Sequence, residues 1–215
     1  MNILFIGNSH TYVNYLPYQV KFLLKAGAGL ENDVRMVTVG GKSLGWHADQ
    51  PNTRAALVYH SWDIIVLQQA THPWAGSDTL IRDYEALEPL LAKTGADILA
   101  YITWARKERP EDQAEIDSSF ERLAADKQIT PVPVSRAWQQ VIAEMDDVDL
   151  YSTDGSHAGE HGTYLAASVF YSVISGKSPA GLPSKTVMYG DVLADIPPDI
   201  ADGIHEVITR MLTES

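Results

Sequence analysis

The sequence predicts an α/β fold of three layers, α/β/α, built on a five-stranded parallel sheet in the order 2-1-3-4-5, the flavodoxin-like winding. Three observations predict it. Short apolar runs alternate with helix-length amphipathic stretches, as β-α units of a parallel sheet require. Asp63-Ile64-Ile65-Val66-Leu67 is a near-continuous apolar run, the pattern of a strand buried on both faces. Polar, glycine-containing stretches follow the strands, at the edge where open parallel sheets bind ligands.

The elements follow in order. Ile3-Leu4-Phe5-Ile6 reads as the first strand, and Gly7-Asn8-Ser9-His10-Thr11 as the turn after it. A helix is expected from Tyr12 to Lys25, with Tyr15, Val20, Phe22, Leu23 and Leu24 apolar, stopping at Gly27-Ala28-Gly29. Val34 to Val39 has the β-branched alternation of a second strand, and Gly40-Gly41-Lys42-Ser43 is a tight loop. A helix from about Thr53 to His60 precedes the third strand, which ends in Gln68-Gln69. Helix Asp78 to Lys93, strand Asp97 to Thr103 and helix Glu111 to Lys127 come next, with Pro110 near the last helix's start. Ile129 to Val134 carries two prolines, which places this final strand at an edge. Helices are expected over Ser135 to Glu144 and Gly159 to Ser175, with a polar loop from Asp146 to His157 between them. A last helix presents Ile200, Ile204, Val207, Ile208 and Met211 on one face.

A chain of 215 residues suits one domain with a substantial core. The formal charge of −12 argues against nucleic acid, since phosphate binding needs clustered Lys and Arg. With 45% apolar residues, no run is long and pure enough to span a membrane. The absence of cysteine excludes disulfides, thiolate catalysis and Cys-based zinc sites. Met1-Asn2 leads straight into a strand, without a basic n-region and cleavage site, which predicts a cytoplasmic chain.

The chemistry concentrates at one sheet edge. Ser9 follows the first strand, near helix-start amides that favour negative charge. Taken alone, this loop reads better as a helix cap, with Ser9 or Thr11 the capping residue. The predicted strand order brings Gly40-Gly41 and Gln68-Gln69 to the same edge. Far downstream, Asp154-Gly155-Ser156-His157 lies just before a helix, and its spacing lets a carboxylate meet an imidazole. A nucleophile, a base, an orienting group and oxyanion donors are the parts acyl transfer needs.

The blocks GNSHT at 7–11, GGKS at 40–43, a strand ending in Gln68, and DGSH at 154–157 resemble the SGNH (GDSL-like) hydrolases. ILFIGNS, the VGG loop, WD followed by VLQ, and the helix after DGSH are similar to the DUF4886-type branch. The resemblance spans residues 3 to about 178. It implies that Ser9 is the nucleophile, His157 the base and Asp154 the group that holds the imidazole. It makes the amides of Ser9 and Gly41 oxyanion donors. The family's third donor is an Asn in a GxND block, which this chain lacks. Gln68 is the substitute, with Gln69 the competitor, since a shift of one residue turns a side chain to the other face. His10 stands where the family places Phe, predicting a more polar wall. The implied activity is that of a serine esterase needing no cofactor. Its substrate would be a small-molecule ester, such as an acetyl group on a carbohydrate or related alcohol.

Competing readings accompany these. Gly41 also suits a turn with positive φ. Gly41-Lys42-Ser43 and Gly176-Lys177-Ser178 are not phosphate loops, because Met36 and Tyr171 stand where the motif needs glycine. His157, Glu160 and His161 match H-x-x-E-H, which makes a metal-dependent hydrolase the enzymatic rival. A non-catalytic binding module with an anion at the glycine-rich edge is a third reading. Trp104 is placed as a pocket wall or as a core residue, and His72 and Trp74 as a further wall. His47, His60 and His205 are assigned to surface or core.

Overall fold

The computed structural model describes residues 1–214. Five parallel strands, β1 (Asn2–Gly7), β2 (Asp33–Thr38), β3 (Ile64–Leu67), β4 (Asp97–Tyr101) and β5 (Thr130–Val132), form one sheet in the order 2-1-3-4-5. Every pairing within it is parallel. The two-residue period of a strand divides the core in two. Ile3, Phe5, Ile64, Val66, Leu99 and Tyr101 point to one face. Leu4, Ile6, Ile65, Leu67 and Ala100 point to the other.

The first face is covered by α2 (Leu16–Ala28), α7 (Val134–Glu144), α8 (Glu160–Ser175) and α9 (Pro198–Thr213). The second is covered by α3 (Leu44–Ala48), α4 (Pro51–Tyr59), α5 (Ser77–Leu91) and α6 (Gln113–Lys127). Helix α8 is buried from Gly162 to Ser172, consistent with its apolar character all round. No helix among the described residues is long and apolar enough to cross a membrane.

Three departures from the sequence expectation bear on the site. The helix expected over Tyr12 to Lys25 is broken. A short α1 (Ser9–Tyr12) and a 3-10 turn precede α2, and Asn14 and Tyr15 both have positive φ. The break follows from a distant contact: the Asn14 amide donates to the Ala158 carbonyl and the Thr163 hydroxyl. Pro17 then sits in the first turn of α2. Helix α3 was not expected, because Gly45 interrupts its five residues. Nor was the hairpin of β6 (Lys185–Met188) and β7 (Asp191–Asp195). Its turn uses Tyr189 and Gly190, both at positive φ, rather than the usual Asn-Gly.

Candidate active site

The site begins where β1 runs out. Asn8 caps α1: its side-chain oxygen accepts from the His10 N–H, and its carbonyl accepts from the Thr11 N–H. The cap is therefore neither Ser9 nor Thr11, and the Ser9 hydroxyl is free for other work. The Asn8 N–H is taken by the Gln68 side-chain oxygen, and the Ser9 N–H has no acceptor among the described residues. Below the loop, His47 is completely buried, and its Nε2–H donates to the Gly7 carbonyl at 2.8 Å. Burial holds His47 below the ordinary histidine range, so it braces the loop as a neutral ring.

Across 148 residues of chain, the His157 ring meets Ser9. The Ser9 Oγ lies 2.8 Å from His157 Nε2, and Asp154 Oδ2 lies 2.6 Å from His157 Nδ1. An ionised carboxylate only accepts, so Nδ1 carries the ring proton and Nε2 offers its lone pair to the hydroxyl. The other Asp154 oxygen accepts from the Ser156 and His157 amides and the Ser152 hydroxyl. The His157 imidazole, joined by these donors, holds the Asp154 carboxyl well below the usual carboxylate range. The side chains of His157 and Asp154 are 30% and 49% exposed, so the pair opens to solvent and to a small molecule.

The loop after β2 comes alongside. Gly41 has φ +70°, and the turn around it is closed by Lys42 N–H to the Val39 carbonyl. The Gly41 N–H has no acceptor among the described residues. The Asn8 amide donates to the Lys42 carbonyl and ties this loop to the Ser9 loop.

The side chains assigned to the third oxyanion donor lie elsewhere. Gln68 is fully buried: its oxygen accepts from the Asn8 N–H and the Thr11 hydroxyl, and its nitrogen donates to the Gln69 carbonyl. Gln69 is also buried, accepting from the Leu44 N–H and donating to Asp83. Neither presents a donor to a ligand, because the loops that Gln68 and Gln69 hold also cover them. Trp104 is core rather than wall: it is fully buried, stacked on Trp138 at 3.7 Å, and donates to the Ser156 carbonyl. Trp74 lies over Phe120 on the second face. His10 and His72 do reach the site, with His10 stacked on His157 and His72 edge-on to His10. The H-x-x-E-H match does not converge. His157 is turned to Ser9 and Asp154, Glu160 accepts from the Asp195 N–H, and no three potential metal ligands gather among the described residues.

One supporting residue was not singled out from sequence. Asp83 sits on the buried stripe of α5 with Leu80, Tyr84, Leu87 and Leu91, and a carboxylate on such a stripe signals a partner. Burial alone would raise its carboxyl. Hydrogen bonds from Gln69, Arg82, Ser43 and the Gly45 amide outweigh burial and hold it below the ordinary carboxylate value. Gly45 permits this approach, since a Cβ there would lie 2.5 Å from an Asp83 oxygen. Asp83 and Gln69 thus clamp the loop that carries Gly41. Asp83→Ala is expected to cost about 3 kcal/mol, roughly 10 °C in Tm, because it strands the buried Gln69 amide and removes the acceptor of Ser43 and Gly45. A depressed folded-state value means the ionised carboxylate stabilises the fold above its unfolded value. That contribution is lost as pH falls through the folded value. Thermal melts from about pH 5 to about pH 2 should therefore show a steeper loss of Tm for the native chain than for Asp83→Asn.

Comparison with solved structures agrees with this architecture. A DUF4886 family protein from Bacteroides uniformis superposes with a TM-score of 0.75 at 18% identity, over 99% of this chain and 95% of that one. A member of the lipolytic protein G-D-S-L family from Veillonella parvula gives 0.60 at 17% identity, over 81% and 97%. The chain has the fold of the G-D-S-L lipolytic proteins. A family 3 carbohydrate esterase from Clostridium thermocellum shares this G-D-S-L fold as well, at a TM-score of 0.62 and 17% identity, over 80% and 93%. No family model and no curated protein matches the sequence.

Proposed function

We propose that this chain is a serine esterase of the SGNH type that cleaves a small acyl ester, such as O-acetyl on a carbohydrate or related alcohol. The observation that carries the proposal is the pair of contacts from Ser9 to His157 and from His157 to Asp154. Their lengths fall in the range a nucleophile, base and orienting group need. His157 takes the Ser9 proton as Oγ attacks the acyl carbon, and Asp154 stabilises the imidazolium that forms. The oxyanion is met by the Ser9 and Gly41 N–H groups, which have no competing acceptor among the described residues. The imidazolium then protonates the leaving alcohol. Water, activated by the same imidazole, releases the acid from Ser9. The carbohydrate part of the proposal draws on the carbohydrate esterase of the same fold.

Active-site labelling tests it. A fluorophosphonate should modify the native protein once, at Ser9, and the labelled protein should lose esterase activity. Among p-nitrophenyl esters, acetate should be turned over with a higher kcat/KM than butyrate or octanoate. A chelator should leave these rates unchanged. A protein that resists the label and stops with chelator would overturn the serine mechanism.

A further inference from the structure

The residue after the proposed nucleophile is a histidine, and its surroundings are unusual for one. His10 is 7% exposed, and its Nδ1 is buried without a hydrogen-bond partner. Its ring lies against the face of His157, with centroids 4.9 Å apart and planes inclined by 23°. His72 meets it edge-on at 4.4 Å, and Trp104 does so at 5.6 Å. His72 is itself fixed, between the Ser156 hydroxyl at 2.7 Å and the Trp104 carbonyl at 2.9 Å. The carbonyl only accepts, so His72 Nε2 carries the proton and Nδ1 takes the Ser156 hydroxyl.

Successive residues of a helix point about 100° apart. Ser9 therefore reaches the edge of His157 while His10 covers its face. We propose that His10 is a positioning residue for the base: a neutral ring that holds His157 in the plane of Ser9 and Asp154, and whose face meets the imidazolium formed during attack. This rests on the esterase reading of the same site. A neutral aromatic face attracts a cation, most of all where water is excluded. Burial, with His72 and His157 beside it, keeps the His10 ring well below the ordinary histidine range, so it does not compete for the positive charge.

Three variants separate the ring face from its nitrogens and from simple filling of space. His10→Phe keeps a flat aromatic face and removes both nitrogens. His10→Leu fills the space without a face, and His10→Ala removes both. On p-nitrophenyl acetate, His10→Phe should stay within about threefold of the native kcat. His10→Leu and His10→Ala should each lose about tenfold in kcat with KM little changed, since the contact gains strength only when His157 is charged. If His10→Ala does not fold, the comparison of Leu with Phe decides the question.

A second readout does not depend on turnover. The low-field proton resonance of the His157 Nδ1–H to Asp154 hydrogen bond should be present in the native protein and in His10→Phe. It should be broadened or lost in His10→Leu. Equal loss of kcat in the Phe and Leu variants, or a rise in KM at constant kcat, would overturn the proposal. So would an unchanged resonance in the Leu variant. Failure of the esterase reading itself registers separately, as absent fluorophosphonate labelling of the native protein.

Discussion

Ser9→Ala is expected to lower kcat for ester hydrolysis by roughly 10⁶-fold, the scale on which loss of a triad nucleophile acts. The substitution removes the hydroxyl that meets His157 Nε2. It removes little else. The cap of α1 is supplied by Asn8, and the loop is held by Gln68 from below and by the Lys42 carbonyl from the side. The lost hydrogen bond is partly open to solvent, so its cost in stability is about 1 kcal/mol. Activity should collapse while Tm shifts by only a few degrees. Steady-state assays at enzyme concentrations high enough to detect the residual rate, paired with thermal melts, check both halves. A variant that kept a hundredth of the native rate would remove Ser9 from the mechanism.

Asp154→Asn should lower kcat by about 10⁴-fold without unfolding the loop. One carboxylate oxygen accepts from the Ser152 hydroxyl and the Ser156 and His157 amides, and an asparagine oxygen can keep those three bonds. The other oxygen faces His157 Nδ1 at 2.6 Å. There an amide N–H would donate where the carboxylate accepts. It would favour the tautomer with the proton on Nε2, turning the base into a donor toward Ser9. The negative charge that stabilises imidazolium would be gone as well. Because its partners hold the native carboxyl well below the ordinary range, it stays ionised throughout any practical assay. The defect should therefore persist at every pH tested. A rate for Asp154→Asn within tenfold of the native one would show that the carboxylate is not needed to orient His157.

Gln68 and Gln69 illustrate where sequence reasoning succeeded and where it stopped. Strand periodicity implied that the two side chains leave β3 on opposite faces, and they do. Gln68 goes to Asn8 and Thr11 under the first loop, and Gln69 goes to Asp83 of α5. Periodicity carries no information on what covers each face. The loops fold over both amides, and a side chain expected to meet a ligand becomes part of the scaffold. The same limit applies to Trp104. Its place after β4 was legible, but its stacking on Trp138 depends on how α7 packs against the sheet.

By itself, the sequence determined the alternation of strands and helices, the edge of the sheet where polar loops collect, and the local groups Gly7-Asn8-Ser9 and Asp154-Gly155-Ser156-His157. These follow from periodicity, turn chemistry and short-range spacing, which are written within a few residues of one another. Only the tertiary structure decided that Asn8 rather than Ser9 caps α1, that His10 lies on the face of His157, and that Asp83 clamps the Gly41 loop. The cap is a contact of two residues' span whose choice of Asn8 over Ser9 the spacing left open, and the other two depend on contacts between segments tens of residues apart in the chain. Their distances are set by how the helices pack on the sheet, and no local pattern encodes that packing.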